Sequence, residues 1–275
     1  MNSYLSPSFK NLVSVATKFQ AEYQNNVPFP NIHFNDFFNA KFLDSVLAEF
    51  NINEERDSVF FNDANQLKWS SKGDTSFGQN TKELIHFLNT ESFLQFLQKL
   101  TGIEETLLPD PYLIGGGLHE IKRDGFLKIH ADFNKHTKTK LDRRINVLLY
   151  LNKDWKEEYG GHFELWNKEM THCEKKIKPD FNTLAIFSTS DYSYHGHPSP
   201  LNCPVNSSRK SIALYYYTNG RPQNEVHTGL QEHGTLFKAR KNETMDNEVK
   251  ETKTNYRAIL KDFIPPIILR WWKNK

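Results

Sequence analysis

The chain has 275 residues, of which 37% are hydrophobic and 25% charged, and its net charge is +2. These values are typical of a globular protein and exclude the strongly basic surface that nucleic-acid binding uses. The sequence has no run of 18 apolar residues and no apolar leader, so it predicts no transmembrane segment or signal peptide. Cys173 and Cys203 form neither a disulfide framework nor a CxxC zinc motif. We therefore expect a cytoplasmic protein.

Apolar residues recur at helical spacing in four segments of the first 110 residues. The predicted helices cover residues 9–25, 39–50, 81–89 and 91–101. Asn39 is a predicted N-cap of the second helix, and Gly102 is placed to end the fourth. Ile32 and Phe34 alternate with polar residues after two prolines, which predicts a short strand. Residues 51–80 are expected to form loops with uncertain strands.

From about residue 111 the sequence changes to short segments rich in β-branched and aromatic residues, separated by Gly, Pro, Asn or Asp. The predicted strands cover residues 115–121, 125–133, 143–152, 161–166, 175–179, 182–189 and 208–218. Seven strands with almost no helix between them predict an antiparallel sandwich or barrel. The fold class is therefore α+β, mainly β, with the N-terminal helices backing one sheet.

The predicted organisation has three parts. Residues 1–110 support the same domain whose β core is 111–222, and residues 223–275 form a charged loop and a C-terminal helix or extension. Within this last part, 239–255 is poor in apolar groups and is expected to be mobile. The apolar pattern that follows is interrupted by Pro265 and Pro266. We expect it to dock on the domain, with membrane-surface contact through Trp271 and Trp272 as the alternative.

His130 and Asp132 lie two residues apart in a predicted strand, so both side chains point to the same face. The HxD pattern alone is weak, but His195 follows 65 residues later in the predicted turn DYSYHGHPSP. Two imidazoles and a carboxylate are the ligand set of non-haem iron(II) oxygenases. A 2-oxo acid can bind two of the remaining metal positions. Arg209, on the next strand, has the planar charged group that suits its second carboxylate.

Several segments, in the same order, resemble the catalytic core of the prolyl-4-hydroxylase-like 2-oxoglutarate oxygenases. That family includes hypoxia-factor prolyl hydroxylases and ribosomal-protein prolyl hydroxylases. The resemblance covers about 100 residues closely, and 28–50 more loosely. The matching segments are HAD (130–132), RRINVLLYLNKDW (143–155), GGHFELW (160–166), KPDFNTLAIF (178–187), HGHP (195–198) and SRKSIALYYYT (208–218).

The resemblance implies a double-stranded β-helix, that is, a jelly roll, with iron at its open end. It places the metal ligands at His130, Asp132 and His195, and the 2-oxoglutarate contacts at Arg209 and Tyr150. Fe(II) is the implied cofactor, 2-oxoglutarate and O2 are co-substrates, and ascorbate is a candidate reductant. The implied reaction hydroxylates a substrate C–H bond while 2-oxoglutarate becomes succinate and CO2. Asp132 favours hydroxylation over halogenation, since related halogenases lack this carboxylate.

Some alternatives stay open at this stage. The connection from His195 to Arg209 is longer than is usual in the family and contains His197, a competing third ligand. We expect His195, because it occupies the motif position and because His197 precedes Pro198, which restricts its backbone. Peptidyl proline is the first substrate candidate, and an amino acid, a glycan sugar or another small metabolite is the alternative. A catalytically silent metal-binding or sensing module is the alternative of another class.

Four further residues are weighed as secondary candidates. His119 and Glu120 could face the substrate cavity, although ordinary sheet positions are favoured. Arg143 or Arg144 could pair with an anionic substrate, although an ion pair at the end of a strand is favoured. His136, His162 and His172 are expected to be loop or edge histidines without a ligand role.

Overall fold

The computed structural model describes residues 4–52, 57–225, 232–241 and 243. These residues belong to one unit of the chain, which covers positions 1–244. Most of the predicted C-terminal part, including all of 256–275, lies outside the described residues. None of the helices in the described ranges is long and apolar enough to cross a membrane.

All four predicted helices are present, with ends shifted by up to three residues. They are α1 (Leu12–Asn25, after a 3-10 turn at Pro7–Phe9), α2 (Ala40–Ala48), α3 (Gln79–Leu88) and α4 (Glu91–Thr101). The Asn39 side chain accepts hydrogen bonds from the backbone N–H groups of Lys41 and Phe42, which confirms it as an N-cap. Gly102 ends α4 in the left-handed conformation at φ 75°, which glycine adopts without strain.

The start of α3 is capped from another helix. Gly78 occupies its N-cap position and has no side chain to cap the first turn. The carboxylate of Glu49, just after α2, instead accepts from the backbone N–H groups of Asn80 at 3.1 Å and Thr81 at 2.9 Å. Burial raises the pKa of Glu49, but these hydrogen bonds outweigh it and lower the pKa below its usual value. Glu49 therefore joins the ends of α2 and α3.

Thirteen strands occur in the part of the chain that the structure describes. They are β1 (Asn31–Phe34), β2 (Ser58–Asp63), β3 (Gln66–Ser71), β4 (Leu108–Pro109), β5 (Gly117–Lys122), β6 (Leu127–Ala131), β7 (Asp142–Tyr150), β8 (Phe163–Trp166), β9 (Cys173–Ile177), β10 (Thr183–Ser188), β11 (His195–His197), β12 (Ser208–Thr218) and β13 (Leu236–Phe237). The predicted turn at His195 was wrong, because this residue begins strand β11. Strands β4 and β13 were not predicted, and the uncertain region 51–80 contains the β2–β3 hairpin.

The strands pair in antiparallel fashion in the order β1-β10-β7-β12-β5-β3-β6-β11-β8-β9. One group, β1-β10-β7-β12-β5, is backed by the helices. A second group, β6-β11-β8-β9, follows in the same sheet, and β3 connects the two by pairing with both β5 and β6. This arrangement is a nearly closed, barrel-like jelly roll with four helices, which confirms the predicted fold class.

Side-chain alternation on β7 separates the core from the interior of the jelly roll. Ile145, Val147 and Leu149 are buried in the large apolar cluster that also contains the buried faces of α1 to α4. Asn146 and Tyr150 point the other way, into a cavity between the two strand groups. The Phe-rich core therefore fixes one face of β7, and its opposite face carries polar groups into the cavity.

Candidate metal centre and cavity

Three side chains converge at one point in the second strand group. His130 on β6 and His195 on β11 are paired directly across the two strands, and Asp132 follows β6. Asp132 Oδ1 lies 3.4 Å from His130 Nε2, and Asp132 Oδ2 lies 3.3 Å from His195 Nε2. One ligand atom from each residue lies within 4.8 Å of the others. No other group of metal-ligand side chains in the described ranges meets this spacing.

Both histidines are held in the form that a metal site needs. Nδ1 of His130 is 2.8 Å from the Lys128 carbonyl, and Nδ1 of His195 is 2.8 Å from the Ser193 carbonyl. Since a carbonyl only accepts, the proton is on Nδ1, and the Nε2 lone pair faces Asp132. Burial, followed by the nearby His195, lowers the pKa of His130 and favours its neutral form. The donor set therefore fits a divalent ion.

Asp132 is oriented by two neighbours outside the cluster. Its Oδ2 accepts from Asn146 Nδ2 at 2.7 Å and from Arg143 Nη2 at 3.0 Å, and Arg143 Nε donates to Asn146 Oδ1 at 2.8 Å. The Arg143 guanidinium carbon also lies 3.4 Å from the centre of the Tyr215 ring. Burial alone would raise the pKa of Asp132, but Arg143 and the histidines hold it well below its usual value. The carboxylate is therefore ionised and fixed in position.

Arg143 and Arg144 both form ion pairs at the start of β7, as favoured from the sequence. Arg143 pairs with Asp132 of the cluster, a contact that the sequence did not indicate. Arg144 points to the other side, where it lies 3.0 Å from Glu105 and 3.1 Å from Glu225. These groups line a cavity of about 470 Å³, larger than the cavity of about 70 Å³ at the histidine cluster. In the larger cavity Arg144 is already paired with Glu105 and Glu225.

Arg209 is a buried cation at the side of the cavity formed by β12. It is 5% exposed, its Nε donates to the Gly161 carbonyl at 2.8 Å, and its Nη2 donates to the Tyr150 hydroxyl at 3.3 Å. In the ranges that the structure describes, no carboxylate pairs with it. A buried guanidinium without a counter-ion is costly, so this position suits an anionic ligand. Burial raises the pKa of Tyr150, which therefore stays a neutral phenol.

Gly161 makes room for the Arg209 side chain. Its φ is +73°, and a Cβ built on it would lie 3.0 Å from Arg209 Cδ and 2.6 Å from Leu201 Cδ2. Both the backbone conformation and the close approach therefore require glycine here. Arg209 is therefore a close neighbour of the Gly161 backbone.

The cluster and Arg209 line the same cavity. Its walls include Lys68, His119, His130, Asp132, Asn146, Tyr150, Phe163, His195, His197, Arg209, Ser211 and Tyr215. Lys210 is absent from these walls, because β12 turns it to the opposite face, where its Nζ lies 3.8 Å from Glu120. Of the two secondary candidates on β5, His119 lines the cavity and Glu120 does not.

His197 lies beside the cluster and is not part of it. It is 3% exposed, it lines the cavity, and neither ring nitrogen has a hydrogen-bond partner. Burial and the nearby Arg209 lower its pKa well below the usual value. The cluster within 4.8 Å contains His195 instead. The three histidines expected to have no ligand role pair with carboxylates. His136 pairs with Asp110 in the interior, and His162 and His172 pair with Glu157 and Glu174 nearer the surface.

Two residues of this site were missed by the sequence analysis, Asn146 and Lys68. Asn146 was hidden within the strand segment RRINVLLY, where a single polar residue between apolar ones was a usable signal of a polar wall. Lys68 lies in QLKWSS, where Leu67 and Trp69 alternate with polar residues as expected for a half-buried strand. The sequence carries no information on which sheet face this hairpin joins.

The comparisons with known proteins agree with this geometry. The family model described as the 2OG-Fe(II) oxygenase superfamily matches residues 116–217. A search of curated proteins found no match. Among solved structures, a Trichoplax adhaerens prolyl hydroxylase in complex with a peptide fragment of the hypoxia inducible factor oxygen degradation domain is similar. It is 17% identical with a TM-score of 0.56, over 77% of this chain and 92% of that one.

A Pseudomonas putida prolyl-4-hydroxylase is also similar, with 14% identity and a TM-score of 0.51 over 76% of this chain and 100% of that one. At these identities the likeness shows a common fold. Residues 116–217 of this chain are therefore similar to the 2OG-Fe(II) oxygenase superfamily. The His130–Asp132–His195 cluster fits the Fe(II) cofactor of that family, whose members use 2-oxoglutarate and O2.

Proposed function

We propose that His130 Nε2, His195 Nε2 and one Asp132 oxygen bind Fe(II), and that the enzyme hydroxylates a C–H bond of its substrate. The observation that carries this proposal is the spacing of the three donors, with both histidines oriented through Nδ1. Two imidazoles and one carboxylate occupy one face of an octahedral ion and leave three positions open. Asp132 contributes the only negative charge among the three ligands.

Arg209 and Tyr150 are proposed to bind the distal carboxylate of 2-oxoglutarate. The Arg209 Nε is used by Gly161, so its terminal nitrogens remain for the ligand, and the Tyr150 hydroxyl lies beside them. This contact orients the other end of 2-oxoglutarate, with its keto group and first carboxylate, towards the His130–Asp132–His195 cluster. Arg209 and the cluster come from opposite strand groups, so the ligand lies across the cavity.

Bound Fe(II) supplies the chemistry by which O2 oxidises 2-oxoglutarate to succinate and CO2 and places one oxygen atom in the substrate C–H bond. The residues of this chain orient the participants and exclude water from them. His130 and His195 each keep a proton on Nδ1, held by a backbone carbonyl, so neither acts as a proton donor towards the cavity. Arg143 and Asn146 hold the Asp132 carboxylate in one orientation.

Peptidyl proline is the proposed first substrate candidate. Its support is the common fold with the prolyl hydroxylases of Trichoplax adhaerens and Pseudomonas putida. One fold accommodates many substrates, so the substrate is identified by its own experiment. An amino acid, a glycan sugar or another small metabolite is the alternative.

Formation of succinate from 2-oxoglutarate tests the proposed function. The wild-type protein with Fe(II) and O2 should form succinate, and Asp132→Asn should bind Fe(II) weakly and form almost none. Asp142→Asn is the matched control, because Asp142 is also buried and ion-paired, with Lys135 at 3.1 Å. Wild-type protein that binds Fe(II) and 2-oxoglutarate and forms no succinate with any substrate would support the silent module instead.

A further inference from the structure

A lysine in the wall of the cavity remains outside the proposed reaction. Lys68 lies on β3, and its neighbour Ser70 pairs with His119 on β5. Because residues two apart on a strand share a face, Lys68 and His119 point into the same cavity. The adjacent Trp69 points the other way and packs against the core shared with the helices.

Lys68 has no counter-ion within the described part of the chain. No carboxylate lies within ion-pair distance of its Nζ, which lies 5.1 Å from the centre of the Phe61 ring. Burial lowers the pKa of Lys68 to about 8, while Asp132 opposes the shift. The lysine is therefore still mainly charged at neutral pH, on a wall from which solvent is partly excluded.

The formal charges of the occupied site leave Lys68 without a partner. Asp132 is paired with Arg143 at 3.0 Å. In the proposed function, one carboxylate of 2-oxoglutarate binds the metal and the other binds Arg209. The charge of Fe(II) is then balanced by the dianion, and Arg209 and Lys68 leave the site with a surplus of positive charge. A carboxylate on the substrate offsets part of this surplus, and a neutral substrate offsets none of it.

We propose that Lys68 is a specificity residue, and that it binds a carboxylate group of the substrate next to the C–H bond that is hydroxylated. This inference rests on the proposed function and, among its substrate candidates, favours an amino acid or another carboxylate-bearing metabolite over peptidyl proline, which has no free carboxylate. His119 supports it, because its Nε2 donates to the Gly115 carbonyl at 3.0 Å and its Nδ1 is left to accept from a substrate N–H or O–H. Burial, followed by the nearby Lys68, lowers the pKa of His119 to about 3, so this ring adds no charge.

Binding of paired probes tests this inference without turnover. Protein loaded with Zn(II) and saturated with 2-oxoglutarate is titrated calorimetrically with N-acetyl-L-proline and its amide, and with N-acetyl-L-glutamate and N-acetyl-L-glutamine. We expect the carboxylate member of at least one pair to bind about tenfold more tightly. Lys68→Met should abolish this preference. Lys72→Met is the control, because Lys72 is an exposed lysine just after β3.

The affinity for 2-oxoglutarate distinguishes a failure of the inference about Lys68 from a failure of the proposed function. We expect Lys68→Met to bind 2-oxoglutarate as the wild type does, because Arg209 and the metal contact its carboxylates. Equal binding of acid and amide in both pairs, or no binding by either acid, overturns the inference about Lys68. A loss of 2-oxoglutarate affinity in Lys68→Met also overturns it and makes Lys68 a co-substrate contact. Failure of the wild type to bind 2-oxoglutarate contradicts the proposed function itself.

Discussion

Asn146 donates a hydrogen bond of 2.7 Å to Oδ2 of Asp132, from the opposite strand group of the jelly roll. The contact fixes a candidate metal ligand without adding charge. We expect Asn146→Leu to lower Fe(II) affinity roughly 10–100-fold, as loss of a group that orients a ligand typically does. Metal titration followed by calorimetry measures the effect.

Asn152→Leu is the matched control for that experiment. Asn152 is also buried, and its Nδ2 donates to the Pro179 carbonyl at 2.7 Å, so its loss should destabilise the fold. It makes no contact with Asp132, so metal affinity should stay near that of the wild type. Equal losses of metal affinity in Asn146→Leu and Asn152→Leu would mean that general destabilisation is the cause.

The two histidines of the HGH segment differ in their expected effects on metal binding. His195→Ala removes a ligand and should lower Fe(II) affinity by more than the roughly 10–100-fold typical of a residue outside the ligand set. His197→Ala should leave Fe(II) affinity nearly unchanged, because its nitrogens lie outside the cluster. Metal content after dialysis against a weak chelator compares the two variants. Retention of iron by His195→Ala, with loss from His197→Ala, reverses the assignment.

Gly160 and Gly161 provide a matched pair at the wall beside Arg209. Both have positive φ, so alanine is strained at either position, at a cost of about 1–3 kcal/mol of folding free energy. Only at Gly161 would the new Cβ also contact Arg209, since nothing lies within 4 Å of a Cβ at Gly160. We expect Gly161→Ala to weaken 2-oxoglutarate binding and Gly160→Ala to preserve it. Similar affinities in the two variants would show that the Arg209 position does not depend on Gly161.

The pH dependence of stability reports on the Glu49 cap of α3. The folded-state pKa of the Glu49 carboxyl is lower than its unfolded value. The stabilisation that this carboxylate gives to the folded state is therefore complete above the unfolded pKa and is lost as pH falls through the folded pKa. We expect Glu49→Gln to lower the unfolding free energy by about 1 kcal/mol near neutral pH, as loss of a cap does. The difference should shrink below the ordinary glutamate pKa. Glu158→Gln, at an exposed carboxylate, should show no such trend.

The sequence predicted the elements whose signal is local. The four helices follow from apolar spacing, and the segment SRKSIALYYYT (208–218) was correctly predicted as a strand. The HxD pattern brought His130 and Asp132 to one face. The assignment of β11 failed because a strand of three residues, His195–His197, has no periodicity, and pairing with β6 and β8 forms it.

The partners of the cluster could not be predicted, because they depend on distant pairings. Asn146 reaches Asp132 only because β7 and β6 belong to different strand groups that face each other across the cavity. Lys68 enters the site because the β2–β3 hairpin pairs with β5 and β6, which are far from it in sequence. Such contacts are set by how the sheet closes and not by any local pattern.

Titration of Arg209→Ala with 2-oxoglutarate tests the central claim most directly. Losing one partner of a buried charge pair typically costs about 2–5 kcal/mol, so affinity should fall roughly 30-fold or more. Metal content should stay nearly unchanged, because Arg209 is not a ligand, and Lys210→Ala should bind 2-oxoglutarate like the wild type. Wild-type affinity in Arg209→Ala, or a loss confined to Lys210→Ala, would contradict the claim that 2-oxoglutarate binds between Arg209 and the His130–Asp132–His195 cluster.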